Sequence, residues 1–344
     1  MTTIPHSRPT LDVRSEAALV AALRSRLIAS GDRVREFEDR MAAYVGRQHA
    51  VAAPTGTRAL AAVLRALEMG DGEEVIIPTY VCASVQTAVR RAGGIAVLCD
   101  VEKDWCMSRE TVMARLTPRT RAVVVVHPFG AAADAAAIAS LGVPVVEDCC
   151  QALGATRDGS PVGSAGVAAV LSFHATKLLT TGEGGMALSS DSALAGRIRA
   201  IITNEREAMS DLQASLGTSQ LDEYPRFLSR RREIADRYFD AFADLPIELP
   251  TAVQDRSIFF RFPVRAGGGF DAIRARFERG GIQVRRGVDT LLHNGSGHAR
   301  DDFRNAARLF DETVSLPIYP SLTHEECGRV IDVARDVFGG VVAS

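Results

Sequence analysis

The sequence predicts an α/β fold, with a doubly wound, mostly parallel sheet in a large domain and a smaller α+β domain after it. Between residues 49 and 146, short apolar runs alternate with amphipathic segments, as β-strands joined by crossover helices do. The apolar runs at 143–146 and 167–171 end abruptly in polar residues, which is typical of buried parallel strands. A length of 344 residues with 47% hydrophobic residues allows two domains with a substantial core.

The chain begins with two predicted helices and a strand. A helix from about residue 15 precedes an amphipathic helix over 32–44, which Gly46 closes. A strand at 49–53 leads into Thr55-Gly56-Thr57, which opens a helix that runs to about residue 69. Free backbone N–H groups at such a helix start favour an anion, although an ordinary helix cap is the simpler explanation for an isolated threonine.

Strands and helices then alternate along the predicted sheet. We expect further strands at 74–77, 95–99, 121–126 and 185–189, and helices at 84–92, 108–116, 134–141 and 193–202. The valine-rich run at 121–126 ends at His127, so we expect His127 at the carboxyl edge of the sheet, facing the ligand crevice.

Two strand ends carry the residue types of a pyridoxal phosphate (PLP) site. Asp148 follows the run at 143–146, and Ser172, His174 and Lys177 follow the run at 167–171. Residues at the carboxyl ends of strands in an open α/β sheet face the ligand crevice. A lysine amine can form a Schiff base with an aldehyde cofactor, and an aspartate can hold a pyridine nitrogen protonated. Spacing alone leaves a structural ion pair between Asp148 and Lys177 as the alternative.

The motifs around these residues resemble those of the DegT/StrS family of PLP-dependent aminotransferases, which are fold-type I enzymes of the aspartate aminotransferase superfamily. Residues 147–155, Glu-Asp-Cys-Cys-Gln-Ala-Leu-Gly-Ala, match the family pattern Glu-Asp-x-x-Gln-Ala-x-Gly-Ala. Residues 172–185 match the pattern Ser-Phe-His-x-Thr-Lys-x-x-x-x-Gly-Glu-Gly-Gly. The resemblance extends from the amino terminus to about residue 337 and implies the fold-type I architecture.

The resemblance also implies a role for each candidate residue. Lys177 would hold PLP and, once freed, would move a proton, while Asp148 would pair with the pyridine nitrogen. His174 would be a third catalytic residue or would orient the lysine loop. The remaining cofactor-binding positions would be Gly56, Thr57, the backbone of Arg58 and Ser172 at the phosphate, Gln151 at the ring oxygen, His127 in a Val-His-x-x-Gly match, and Cys82.

Two segments depart from the family pattern. Cys82 stands where relatives stack an aromatic residue on the pyridine ring, and Tyr80 is a candidate substitute for that aromatic. Between residues 203 and 213 the chain lacks the family's Gly-x-Asn-x-Arg element, whose asparagine reaches the phosphate of the neighbouring subunit, and Asn204 is not at the matching place. We therefore keep open a PLP reaction other than transamination, namely racemisation, cyclisation or elimination on an amino-acid-like substrate.

The function that the resemblance implies is amino transfer in a biosynthetic pathway. The donor would be an amino acid, glutamate or glutamine, and the acceptor a keto-sugar nucleotide, a keto-cyclitol or a related ketone or aldehyde. The resemblance also implies a homodimer. A nucleotide-binding oxidoreductase is disfavoured because no Gly-x-Gly-x-x-Gly opens a helix after the first strand.

Composition excludes several other classes of protein. A net charge of −2 without a basic patch argues against nucleic acid as a partner. No apolar run approaches the roughly 20 residues that span a bilayer, and the start lacks an apolar signal core, so we expect a cytoplasmic protein with no membrane partner. The six cysteines show no C-x-x-C spacing, so we expect no metal site.

We place the domain boundary after residue 235, inside a long helix predicted over 221–242. The large domain then comprises 1–235 and the small domain 236–344. In the small domain we expect strands at 259–264 and 282–286, with helices at 270–280, 301–310 and 323–337.

Overall fold

The computed structural model describes residues 2–70, 72–295, 297 and 299–340, so the last four residues of the predicted small domain, 341–344, lie outside the described residues. The strands of the described residues are β1 (His49–Ala53), β2 (Glu74–Pro78), β3 (Ile95–Cys99), β4 (Thr120–Val126), β5 (Val145–Asp148), β6 (Thr156–Arg157), β7 (Ser160–Pro161), β8 (Ala168–Ser172), β9 (Gly185–Ser189), β10 (Phe262–Arg265) and β11 (Thr313–Leu316). The predicted strands of the large domain are confirmed to within a few residues.

Seven of these strands form one sheet in the order β1-β9-β8-β5-β4-β2-β3. Strand β9 is antiparallel to both of its neighbours, and β8, β5, β4, β2 and β3 are parallel to one another. Strand β1 therefore runs in the same direction as β8. The carboxyl ends of β1, β2, β4, β5 and β8 consequently meet at one edge of the sheet, where ligands bind in open α/β sheets.

Helices cover both faces of the sheet. The helices are α1 (Val13–Ser25), α2 (Asp32–Val45), α3 (Gly56–Ala66), α4 (Ala83–Arg91), α5 (Arg109–Met113), α6 (Ala135–Ala139), α7 (Ser192–Asn204), α8 (Asp211–Phe242), α9 (Phe270–Arg279), α10 (Arg304–Glu312) and α11 (His324–Gly339). Because successive strand residues point to opposite faces, Val170 packs with the core under α3, whereas Leu171 packs with the core under α2 and α8. The predicted helices at 108–116 and 134–141 are shorter than expected.

The long helix α8 begins at Asp211, well before the predicted start at residue 221. Its first turn is closed by a capping box, in which the Ser210 hydroxyl accepts from Gln213 N–H and the Gln213 side chain accepts from Ser210 N–H. Tyr224 and Phe227 of this helix pack in the core of the large sheet, whereas its later residues pack with β10 and β11. The predicted domain boundary after residue 235 falls inside α8, and that division remains a proposal.

The carboxyl-terminal part contains one antiparallel pair, β10 with β11. The prediction of a strand at 282–286 is wrong. This segment forms backbone hydrogen bonds first with Ile4 and then with Ser315, so it makes two isolated bridges instead of a continuous ladder. The strand predicted at 259–264 starts later, at Phe262, and β11 was not predicted from the sequence.

None of the helices in the described residues combines the length and the apolar character needed to cross a membrane.

Candidate active site

A cleft of about 310 Å³ opens at the carboxyl edge of the sheet. Its walls come from the β1–α3 turn, from the ends of β4, β5 and β8, and from the loop that follows β8. All but one of the residues predicted for the site line it, namely Gly56, Thr57, Cys82, His127, Asp148, Gln151, Ser172, His174 and Lys177. The exception is Arg58.

The start of α3 forms one end of the cleft. The Thr55 hydroxyl accepts a hydrogen bond from Arg58 N–H at 3.2 Å, which makes Thr55 the helix cap and occupies the Arg58 donor. The N–H groups of Gly56 and Thr57 belong to the first helical turn, where no intrahelical acceptor exists. A Cβ on Gly56 would lie 2.9 Å from the Ser172 Cβ, so only glycine lets the helix start approach the end of β8 this closely. The result is a cradle of N–H and hydroxyl donors suited to an anion.

Asp148 ends β5 and contributes the carboxylate of the cleft. It is 8% exposed, and one of its oxygens accepts from Cys150 N–H at 3.0 Å. Burial, followed by the Asp148 charge, raises the pKa of the Cys150 thiol well above its ordinary value, so this thiol stays protonated. Gln151 uses its side-chain oxygen to accept from Phe129 N–H at 2.9 Å, and its NH₂ has no protein acceptor among the described residues.

The neighbouring Glu147 points away from the cleft and anchors β5. Its carboxylate accepts from the N–H groups of Gly163, Ala165 and Gly166, each at 2.8 Å. His127 Nδ1 accepts from Ala133 N–H, so the ring proton lies on Nε2, which donates to Glu147 at 3.1 Å. Both ring nitrogens of His127 are therefore engaged, and its predicted contact with a cofactor remains a prediction.

Hydrogen bonds decide the charge state of Glu147. Burial by itself raises the pKa of this carboxyl group, but the hydrogen bonds from His127 and from the backbone outweigh burial and leave the pKa below its ordinary value. His127, Glu147 and Cys149 form the single group in the described parts of the chain whose donor atoms lie within 4.8 Å, close enough for a metal ion. Because both Glu147 oxygens already accept hydrogen bonds, this cluster has the features of a structural anchor.

Lys177 lies on a loop that is closed at its base. Phe173 N–H donates to Gly184 O, and Thr181 N–H donates to Phe173 O, each at 2.9 Å. A Cβ on Gly184 would lie 2.4 Å from the Thr181 hydroxyl oxygen, which explains a glycine at this position. The Lys177 Nζ lies 5.2 Å from the centre of the Phe260 ring, within the range of a cation–π contact.

His174 contacts other residues of the same loop. Its Nδ1 lies 2.9 Å from the Thr176 hydroxyl, its Nε2 lies 3.5 Å from a Glu183 carboxylate oxygen, and its carbonyl accepts from Lys177 N–H at 2.8 Å. These contacts are those of a residue that orients the lysine loop. His174 also lines the cleft, so its predicted catalytic role stays open as a prediction.

One signal was missed in the sequence. The chain has only two lysines, Lys103 and Lys177. Lys103 is exposed and does not line the cleft, so Lys177 is the only lysine that lines the cleft. Counting lysines would have reduced the candidates for a Schiff base to two without any motif.

The two departures from the family pattern have clear structural positions. Cys82 is exposed at the cleft, with its sulfur 2.8 Å from the Ser84 hydroxyl. Tyr80 is buried and packs edge-on against Phe129 with ring centres 6.3 Å apart, and it does not line the cleft. The suggestion that Tyr80 replaces the missing aromatic is therefore wrong, because its ring is part of the core.

The shortened segment is held against α3. Asn204 is exposed and is the last residue of α7, and the connection that follows it leads directly into α8. Glu205 and Glu207 in this connection form ion pairs with the Arg58 side chain, and Glu205 also pairs with Arg65. The Arg58 side chain is therefore used to fix this connection beside the donor cradle.

The donors of the cleft fit PLP. An anion cradle at the start of α3, a carboxylate on Asp148, an amide on Gln151 and an amine on Lys177 match the phosphate, the ring nitrogen, the ring oxygen and the aldehyde of that cofactor. The glycine at position 56, where a Cβ would be only 2.9 Å from the Ser172 Cβ, brings the start of α3 and Ser172 together at one end of the cleft.

Comparisons with known proteins agree with this arrangement. The model of a family described as the DegT/DnrJ/EryC1/StrS aminotransferase family matches residues 9–335. The spore coat polysaccharide biosynthesis protein SpsC of Bacillus subtilis (strain 168) is 30% identical over 379 aligned residues, which cover 98% of this chain and 97% of the relative.

Two solved structures are similar over almost the whole chain. The aminotransferase TlmJ from Streptoalloteichus hindustanus superposes with a TM-score of 0.93 at 30% identity, covering 98% of this chain and 99% of TlmJ. The putative sugar aminotransferase Spr1654 from Streptococcus pneumoniae, in its PLP form, superposes with a TM-score of 0.92 at 26% identity, covering 99% and 100%.

Proposed function

The chain belongs to the DegT/DnrJ/EryC1/StrS aminotransferase family, and we propose that it transfers an amino group from glutamate or glutamine to a carbonyl acceptor. The acceptor would be a keto-sugar nucleotide, a keto-cyclitol or a related ketone or aldehyde. The observation that carries the proposal is that Lys177 and Asp148 line one cleft, at the edge of the sheet where ligands bind.

The cleft residues divide the binding of PLP among them. Gly56 and Thr57 would donate to the phosphate, with the Ser172 hydroxyl beside them. Asp148 would accept from the ring nitrogen and keep its proton in place, and the Gln151 NH₂ would donate to the ring oxygen. When bound, PLP supplies an aldehyde carbon and a ring that accepts electrons.

Lys177 supplies the amine of the cleft. Its loop is fixed at Phe173, Thr181 and Gly184, so the backbone that carries the lysine has a defined place. The Lys177 Nζ would hold the cofactor at rest and, when released by the amino donor, would carry a proton between the two reacting carbons. His174 keeps the loop oriented through Thr176 and Glu183.

A homodimer is part of this proposal. Several large apolar side chains of α1 are exposed, among them Val13 at 76%, Leu23 at 56% and the neighbouring Leu27 at 68%. A set of exposed apolar residues on one helix is a feature of protein contact surfaces. Light scattering of the active protein should therefore give twice the mass of the chain.

An absorption spectrum tests the proposal. Purified protein with PLP should show a visible band that bleaches when glutamate or glutamine is added, because the cofactor then takes up the amino group. Lys177→Ala should lose the band and all turnover, whereas the matched variant Lys103→Ala should keep both, since Lys103 is exposed outside the cleft. Borohydride reduction and peptide mapping should then place the cofactor on Lys177.

Each other outcome has a distinct meaning. A band that neither donor changes would favour racemisation, cyclisation or elimination over amino transfer. Full activity in Lys177→Ala, or cofactor mapped to Lys103, would contradict the assignment of the lysine.

A further inference from the structure

Two small cavities adjoin the cleft and share two arginines. One, of about 80 Å³, shares Cys82 and Gln151 with the cleft. The other, of about 50 Å³, shares Thr176, the residue before Lys177. Arg261 and Arg285 line both cavities, so these two residues lie between them.

The surroundings of these arginines are strongly positive. The smaller cavity is lined by Arg231, Arg261 and Arg285 together with His6, and no carboxylate of the described residues lines it. Within the described parts of the chain, Asp289 is the one acidic residue that lines the larger cavity. Burial, followed by the charges of Arg261, Arg285 and Arg231, lowers the pKa of His6 well below 6.5, so His6 adds no charge at neutral pH.

The three arginines differ in what they bind within the protein. Arg231 is buried and donates to the carbonyls of Phe259 and Phe260, and Arg261 donates to the carbonyls of Arg286 and Gly287. Among the described residues, none of the three lies within 4.0 Å of a carboxylate oxygen, and the Arg285 side chain has no hydrogen-bond acceptor.

We propose that Arg261 and Arg285 form a carboxylate-binding subsite of the cleft, which holds a carboxylate of the amino donor. This inference rests on the proposed function. A guanidinium presents a planar fork of N–H donors that matches a carboxylate, and two guanidinium groups without a carboxylate partner in the protein attract one strongly. Cavities of about 80 and 50 Å³ have room for a carboxylate but not for a nucleoside diphosphate.

The position of the subsite agrees with that use. Thr176 belongs to both the cleft and the smaller cavity, and the Phe260 ring, which lines this cavity, lies 5.2 Å from the Lys177 Nζ. A donor whose carboxylate is held at Arg261 and Arg285 would thus be bound beside the amine on which the reaction depends.

The test compares Arg285→Gln with Arg279→Gln in the PLP-loaded protein. Arg285 is the better target because only its backbone bonds to the protein, and Arg279 is an exposed arginine of α9 that lines none of these cavities. Binding of 2-oxoglutarate, a dicarboxylate without an amine, is measured by calorimetry. We expect binding about tenfold weaker or more in Arg285→Gln and unchanged in Arg279→Gln, since a hydrogen bond to a charged group is lost.

A second readout separates this inference from the proposed function. The glutamate concentration for half-maximal bleaching of the cofactor band should rise by about tenfold in Arg285→Gln, with a smaller change in the rate at saturation. Bleaching that fails in the wild-type protein would count against the proposed function, whereas the calorimetry would still test the subsite. Arg285→Lys, which keeps the charge, should bind 2-oxoglutarate better than Arg285→Gln, and it serves as the test if Arg285→Gln does not fold.

Three outcomes would overturn the subsite. The first is wild-type protein that does not bind 2-oxoglutarate, and the second is equal affinity in Arg285→Gln and Arg279→Gln. The third is pyrophosphate binding that depends on Arg285 while 2-oxoglutarate binding does not, which would assign the arginines to a phosphate of the acceptor.

Discussion

Replacing Glu147 by glutamine should destabilise the protein although the side chain keeps its shape. One carboxylate oxygen accepts from the N–H groups of Ala165 and Gly166, and the other accepts from Gly163 N–H and from His127 Nε2. An amide has only one acceptor oxygen. In either orientation, the new NH₂ therefore faces two donors that have lost their acceptor.

The size of the effect follows from those two donors. Each buried donor left without an acceptor costs about 1–3 kcal/mol, and neighbouring losses do not add in full. We therefore expect Glu147→Gln to lower the free energy of unfolding by about 2–4 kcal/mol. The adjacent Asp148 would lose part of its support, so PLP should also bind more weakly.

Urea unfolding measures this change in the free energy of unfolding. The single tryptophan, Trp105, is 5% exposed and reports unfolding by its fluorescence. Glu36→Gln is the matched control, because Glu36 is exposed on α2 and has no ion pair among the described residues. The control should change stability by less than about 0.5 kcal/mol. A Glu147→Gln protein that unfolds at the same urea concentration as the control would refute the anchoring role of Glu147.

Three further predictions concern the cleft and its surroundings. Asp148→Asn should keep PLP weakly and lose most activity, and wild-type rates would show that the ring nitrogen has another partner. Gly56→Ala should weaken PLP binding, measured by titration, because the new Cβ would lie 2.9 Å from the Ser172 Cβ. The control is Gly196→Ala on α7, whose new Cβ would have no atom within 4 Å, so PLP affinity should stay unchanged. The pKa of His6 is lowered well below 6.5 in the folded protein, so the native state binds fewer protons and loses stability as the pH falls below about 6.5. His6→Gln should make the unfolding free energy less dependent on pH between about 7 and 5, and an unchanged pH dependence would exclude His6 as its source.

The large sheet could be predicted because its strands are short apolar runs with polar ends. The direction of parallel strands then places Asp148 and Ser172 at the same edge, without any knowledge of tertiary contacts. The cradle at Gly56 follows from a local strand–turn–helix pattern in the same way. These site residues depend on chain direction and on neighbours close in sequence, which a sequence displays directly.

The small domain was harder to predict because its strand pairs depend on distant partners. Segment 282–286 has the composition of a strand but bonds to two different segments, Ile4 and Ser315, and so forms no ladder. Strand β11 is only four residues long and gains its burial from β10, far away in the sequence. Composition alone does not reveal such partners.

The composition of the chain is consistent with different roles for its arginine and lysine side chains. Of the 40 lysine and arginine residues, only two are lysines, and Lys177 is the one that lines the cleft. An arginine remains charged at neutral pH and does not act as an amine nucleophile, so Arg261 and Arg285 can attract a carboxylate without competing for an aldehyde. A lysine in their place would offer a second amine next to the reacting carbon. A cleft that binds an acidic donor and an aldehyde together is therefore best built with arginines for charge and a single lysine for chemistry.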